Sequence, residues 1–280
     1  MTRIQTRPIM TDWIPQEESD PIKEPLLKTK KPALEYGPIK GELFVDGVSA
    51  DDIRQGALGD CYFVSSLSAI AGIDPQWICD SIQSNPDNTF TVRFFRYGKP
   101  IEITVDNEFL HSPSGRLVYG SSTDKGELWI AVMEKAYAQW KGGYERIGQG
   151  GNPAKALYEL TGVRGHLLLD GSMAAEELFQ RLKEGLENHQ ALVAGTYSGP
   201  EQIYNEDNLV TSHAYTVIGV KEEDEQQYVV LRNPWGKVEW NGEGADKRND
   251  GTFKMPIEAF QRMFNLVAYT QLPTRQKRAS

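Results

Sequence analysis

Two apolar segments face each other across a short acidic break: residues 213–220 read HAYTVIGV, residues 227–233 read QYVVLRN, and KEEDE opens the gap between them. Runs this rich in β-branched and aromatic residues are strands, and a polar break of that length allows only an antiparallel return. The chain is thereby committed to a hairpin with residues 213 and 233 at its open end. Placing His213 opposite Asn233 makes every facing pair sum to 446 and centres the turn on Glu223, inside the acidic break. An imidazole and a carboxamide then become neighbours, and the Asn233 side-chain oxygen can accept the imidazole N–H and fix its tautomer. Without His213 opposite, Asn233 reads as a strand-ending turn residue before Pro234.

Around this hairpin the pattern sorts into halves. Residues 1–40 hold six of the 15 prolines among scattered charges and read as a flexible tail or linker. From 41 to 160 helical patterns dominate. Asp60 is placed as an N-cap for a helix carrying Phe63, Leu67 and Ile70, with Gly72 placed to end it. ELWIAVMEKAYAQW puts Leu128, Val132, Ala136 and Trp140 on one stripe. FTVRFFRY and IEITVDN read as strands joined at Gly98, Lys99 and Pro100. From 161 to 274 a helix at AAEELFQRLKEGL gives way to strands at ALVAGTY, in the hairpin and in the closing segment GTFKMPIEAFQRMFNLVAYTQL, and 275–280 form a tail. The predicted class is α+β, with a helix-rich half and an antiparallel-β half.

The second chemical signal is QGALGDCYF, residues 55–63. A cysteine in the first turn of a helix lies where the backbone N–H groups and the macrodipole favour a thiolate, which suits Cys61 as a nucleophile. The plainer reading, a small buried hydrophobe, is the one given to Cys79. A nucleophilic thiol needs a base and an orienting group close in space. His213 with Asn233 supplies both, whereas His111, His166 and His189 read as structural or exposed. Gln55, on the loop leading into the helix, together with the Cys61 N–H, can donate to an oxyanion. Thirty Lys and Arg against 39 Asp and Glu give a net charge of −9, which argues against nucleic acid and anionic lipid. Two cysteines fit a reducing compartment, and no apolar run approaches the ~18 residues of a membrane span. The expectation is a soluble chain, cytoplasmic or exported without a Sec-type signal.

QGALGDCYF, SHAYTVIGV and LRNPWGKVEWNG, in that order, resemble the Cys, His and Asn blocks of the calpain protease core, and ELWIAVMEKAYAQWKGGYE resembles the long helix between them. The resemblance covers about Val45 to Leu272. It implies a papain-like, two-lobed cysteine protease with the active site between the lobes. Position by position it implies Cys61 as nucleophile, His213 as base, Asn233 as orienting residue, Gln55 as oxyanion donor and Trp235 as the ring that keeps water from the Asn–His bond. Tyr62 stands where calpains usually have tryptophan, Ser212 replaces the usual glycine before the histidine, and Gly151 or a neighbour is inserted in GQGGNP. Gly150, Gly151, Ser212 and Trp235 are the implied substrate-binding positions.

The resemblance also implies two calcium sites within the core. Val45 and Gly47 match carbonyl donors, and Asp52 and Glu127 match carboxylates of the first. Glu239, Asp246 and Asp250 match carboxylates of the second, with Arg248 and Thr252 where backbone oxygen could serve; Thr252 stands where calpains have glutamate. Mixed carboxylate and carbonyl oxygens suit Ca²⁺. There is no EF-hand loop motif and no room for the family's C-terminal modules, so a core-only calpain or a piece of a longer chain is expected. The expected partners are extended protein segments cleaved as substrates. A non-catalytic binding module and a transglutaminase-like acyltransferase are the alternatives. The first is expected to lack a triad residue and the second to carry aspartate in place of Asn233.

Overall fold

The computed structural model describes residues 34–169, 173–198, 207–246 and 248–272. Of the segment 1–40 expected as a flexible tail, residues up to 33 lie outside them, as does the expected tail 275–280; the expectation is corrected at its end, where Glu35–Pro38 form a strand paired antiparallel with Glu108–His111, because the backbone there finds hydrogen-bond partners in that strand. In chain order the elements are β1 (Glu35–Pro38), a 3₁₀ turn (Ala50–Asp52), β2 (Ile53–Arg54), α1 (Cys61–Ile73), α2 (Pro75–Cys79), β3 (Ile82–Ser84), β4 (Phe90–Arg96), β5 (Lys99–Val105), β6 (Glu108–His111) and β7 (Ser121–Ser122). They continue with α3 (Trp129–Lys141), α4 (Tyr144–Ile147), α5 (Pro153–Thr161), β8 (His166–Leu169), α6 (Ala175–Glu187) and β9 (Gln190–Thr196). The chain closes with β10 (Ala214–Glu223), β11 (Gln226–Arg232), β12 (Thr252–Pro256), α7 (Ile257–Met263) and β13 (Phe264–Gln271). Helices are interspersed with sheets whose paired strands are all antiparallel among the described residues, which is the α+β class.

The main sheet has six antiparallel strands in the order β12-β11-β10-β9-β13-β8. Both of its faces are covered. Along β9, Ala191 and Val193 join the hydrophobic cluster built on α1, α3 and α5, while Leu192 and Ala194 join a second cluster with Leu178, Phe179 and Phe260 of α6 and α7. The side-chain period of two lets one strand serve both cores. Helix α1 is buried along almost its whole length, so hydrophobic residues appear all round it rather than on one stripe. Phe63 is fully buried and stacks on Tyr137 of α3 at 4.0 Å between centroids. Burying such a ring stabilises by about 1.5–3 kcal/mol.

Three local expectations are corrected. The β10–β11 register has Thr216 opposite Arg232 and, beyond a bulge at Ile218, Glu223 opposite Gln226. Facing residues therefore sum to 448 or 449 rather than 446, and the turn is Asp224-Glu225, both left-handed at φ 49° and 67°. Strand twist favours such a two-residue turn over a wider one centred on Glu223. The β4–β5 turn is likewise Tyr97-Gly98, with Lys99 and Pro100 already in β5, an edge strand where proline is tolerated. Helix α1 runs through Gly72 and stops at Asp74, because the residue before Pro75 is steered out of the helical region.

Candidate active site

Helix α1 begins at Cys61, and its first turn is docked on β10. Ser65 Oγ donates to the Ala214 carbonyl at 3.0 Å, and Thr216 Oγ1 donates to the Ser65 carbonyl at 3.0 Å. Ala214 follows His213, so the nucleophile's turn is fixed beside the histidine's strand. The loop ahead of Cys61 is held as tightly. The Gln55 N–H donates to the Pro234 carbonyl at 2.7 Å, and Gly59 lies so close to the Gly148 carbonyl that a Cβ there would sit 2.4 Å from its oxygen. Only glycine allows that approach.

His213 and Asn233 meet as expected, by a different geometry. They flank the paired strands, and with facing residues summing to 448 near this end they are diagonal rather than opposite. His213 Nε2 is 3.0 Å from Asn233 Oδ1. That oxygen also accepts the Trp235 N–H at 3.1 Å, while Asn233 Nδ2 donates to the Val238 carbonyl at 2.9 Å. This network fixes the amide orientation, so Nε2 carries the imidazole proton and Nδ1 keeps its lone pair. Asn233 is fully buried, and the Trp235 ring lies 4.8 Å from the imidazole. Burial holds the imidazole neutral, its pKa pushed down to about 4 against the support of Asn233.

Two of the sequence-based roles change. Asp60 caps α1 through its backbone carbonyl, which accepts from Phe63 and Val64 at 2.8 and 3.2 Å, and its side chain makes no capping bond. The carboxylate turns inward, fully buried, to accept from Gln55 Nε2 at 3.2 Å. Gln55 Nε2 also donates to the Leu58 carbonyl at 2.7 Å, so both its hydrogens are engaged. The Cys61 thiol is pushed up to about 11, first by burial, with the Asp60 charge adding to it against the backbone N–H groups. Desolvation outweighs the helix terminus here.

Among the substrate positions, Ser212 has φ 51°, the left-handed backbone that explains glycine at this point in calpains. Gly150 is exposed at φ 84°. A Cβ on Gly151 would come 2.5 Å from the Tyr62 ring, so the glycine loop rests on the side chain next to the nucleophile.

The first acidic set is gathered. Asp52, Glu127 and Asp124, which sequence reasoning missed, bring carboxylate oxygens within 4.8 Å of one another. Asp124 was legible only as part of a short acidic turn, DKGE. Burial and mutual repulsion push Asp52 and Glu127 up, the strain a divalent cation relieves, so the donor chemistry fits Ca²⁺. Glu127 also accepts the Val45 N–H at 2.7 Å, so Val45 meets this carboxylate through its amide rather than through the carbonyl expected of it, and Gly47 takes φ 101°.

The second set fits poorly. Arg248 donates from Nε and Nη2 to the one oxygen Asp246 Oδ2 at 2.8 and 2.7 Å and lies 3.7 Å from Asp250, a cation already placed among those carboxylates. Glu239 accepts the Gly251 N–H at 2.6 Å, and the Thr252 N–H donates to Asp250 at 2.9 Å. Among the described residues no second acidic cluster forms.

The family model for calpain family cysteine proteases matches residues 30–251. The calpain-type cysteine protease ADL1 of Oryza sativa subsp. japonica is 32% identical over 221 residues, 76% of this chain and 10% of that protein. Calpain-14 of Homo sapiens is 32% identical over 249 residues, 79% of this chain and 36% of its own length. Calpain-5 of Caenorhabditis elegans is 29% identical over 293 residues, 82% of this chain and 44% of its own length. The chain thus spans less than half of each of these relatives. With a family match across most of its length, the chain belongs to the calpain family of cysteine proteases.

Proposed function

We propose that the chain is a papain-like, two-lobed cysteine endopeptidase, divided near residue 160, that cleaves extended protein segments through Cys61, His213 and Asn233. The observation that carries this reading is the 3.0 Å His213–Asn233 bond beside Trp235, with the next residue, Ala214, bonded through its carbonyl to Ser65 of the helix that Cys61 opens. In this mechanism His213 Nδ1 takes the thiol proton as sulfur attacks the peptide carbonyl carbon. The oxyanion accepts from the Cys61 N–H and from Gln55 Nε2, which exchanges one of its present bonds for it. Collapse breaks the C–N bond, and the imidazolium gives its proton to the leaving amine. Neutral His213 then activates a water that hydrolyses the thioester and restores the thiol. Thiol and imidazole start un-ionised, so their proton moves as substrate arrives rather than beforehand.

Calcium dependence is part of the proposal. Asp52, Asp124 and Glu127 would hold the ion, whose charge would offset theirs on the segment leading into Cys61. Incubation with casein tests both parts. Fragments are expected with calcium, few in EGTA, and none from Cys61→Ser under either condition. Full cleavage in EGTA removes the calcium part and leaves the thiol chemistry. Cross-linked casein in place of fragments overturns hydrolysis in favour of acyl transfer, and intact casein throughout reduces the chain to a binding module.

A further inference from the structure

Behind the nucleophile's helix lie two buried carboxyl groups that the mechanism above does not use. Asp60 precedes Cys61 and is fully buried; Glu134, in the middle of α3, is 1% exposed. Each raises the cost of ionising the other, and two carboxyl groups buried this completely do not both stay charged without a cation between them. One must carry a proton. Asp60 Oδ1 is occupied by Gln55 Nε2, and Asp60 Oδ2 is buried with no other donor. Glu134 in turn accepts the Gly120 N–H at 3.0 and 3.1 Å, and a Cβ on Gly120 would press on its carboxyl. A chain of contacts therefore runs from Gly120 through Glu134 and Asp60 to the amide expected to hold the oxyanion.

We propose that Glu134 is a positioning residue: its carboxyl O–H donates to Asp60, and Asp60 thereby holds the Gln55 amide at the mouth of α1. The inference rests on the proteolytic reading only for its effect on turnover. Burial pushes both groups up, Glu134 further because the Asp60 charge faces it, so the shared proton sits on Glu134 rather than on Asp60. The groups facing the pair are Cys61 and Tyr62 on α1, Gln55 from its loop, Tyr119 and the Gly120 N–H, and Tyr144 on α4; none of them is a cation that could stabilise a second negative charge. Because the folded pKa of Glu134 lies above its unfolded value, the stabilisation is present at low pH and is lost as pH rises through the folded pKa. The resulting limb lies on the alkaline side of the ordinary carboxylate range, runs from there to the folded pKa, and belongs to the pair.

Glu134→Gln separates positioning from mere filling. Its amide can donate to Asp60 and accept from Gly120, and it cannot ionise. In the full chain with calcium, Glu134→Gln is expected to keep casein turnover at pH 7 within about threefold and to flatten the alkaline fall of the melting temperature. Glu134→Leu, which keeps the volume and loses the donor, is expected to lower kcat more than about tenfold with KM little changed, since the oxyanion forms only in the transition state. Infrared spectroscopy of wild type at pH 7 should show a protonated-carboxyl band that Glu134→Gln removes. If that band is missing in wild type, or Glu134→Gln keeps the full alkaline limb, the inference is overturned. A wild type that cleaves nothing overturns the proteolytic reading, while the band and the melting limb still decide the pairing.

Discussion

Cys61 occupies a helix N-terminus, where backbone amides lower a thiol's pKa, and yet its thiol is pushed up to about 11 because the side chain is largely out of water and faces Asp60. At pH 7 the thiolate fraction is then about 1 part in 10⁴. In the absence of substrate and calcium, iodoacetamide should label Cys61 slowly at pH 7, with a rate that climbs about tenfold per pH unit toward the thiol's pKa. Rapid labelling at pH 7, measured by mass spectrometry of the cysteine peptides, would show a thiolate already formed. His213 moves the other way, down to about 4 from 6.5, through burial. Its folded pKa lies below the unfolded one, so the stabilisation is full above about pH 6.5 and disappears as pH falls through about 4, an effect on the order of 3 kcal/mol. Thermal melts of wild type should lose stability across that window, and His213→Gln should lose less. Equal losses would mean that the imidazole is not buried as described.

At the scale of elements, the hairpin shows how far pattern carries. Alternation and the acidic break locate β10 and β11, but the exact return depends on which turn fits strand twist, and that choice moved the register by two to three positions. Glu225 now sits at φ 67°, in a conformation that a side chain with a Cβ adopts at some cost. Glu225→Gly should therefore stabilise the fold by about 0.5–1 kcal/mol, read as a rise in urea midpoint with unchanged slope. A fall would place the turn elsewhere. His213 and Asn233 still meet because both lie at the open end, where a diagonal neighbour is within reach of a ring and an amide. Helix boundaries followed local steric rules more faithfully than glycine placement: α1 passed Gly72 and ended at the residue before Pro75.

Across the whole molecule, the acidic loops and the sheet are tied by one buried cation. Arg232, at the end of β11, donates from Nη2 to the carbonyls of Asp51 and Ile53 at 2.6 and 3.2 Å and from Nη1 to that of Asp250 at 3.3 Å. It bridges the segment ahead of Cys61 and the loop beyond Trp235, whose side chains the calcium expectation singled out. A guanidinium fork can serve three carbonyls where an ammonium cannot span them. Arg232→Lys should therefore destabilise by about 2–4 kcal/mol in urea unfolding despite the retained charge. A change within experimental error would mean the loops hold without it.

What the sequence determined by itself is what local pattern and residue chemistry can state: an α+β chain, a hairpin that brings an imidazole and an amide together, a cysteine opening a helix, and a run of blocks that marks the family. Tertiary structure decided the rest, because burial and protonation belong to no single segment. It left Asp60 capping α1 by its backbone carbonyl alone and buried its carboxylate, engaged both hydrogens of Gln55, and raised Cys61 where its helix position would lower it. It also brought Asp124 to Asp52 and Glu127, and it set a cation among Asp246 and Asp250. Some of these partners are distant in the chain, as Asp52 is from Asp124 and Glu127, and others are near, as Arg248 is to Asp246; in both cases it is the folded surroundings that remove water from a group and choose which neighbour it meets, and no spacing rule in the sequence carries that information.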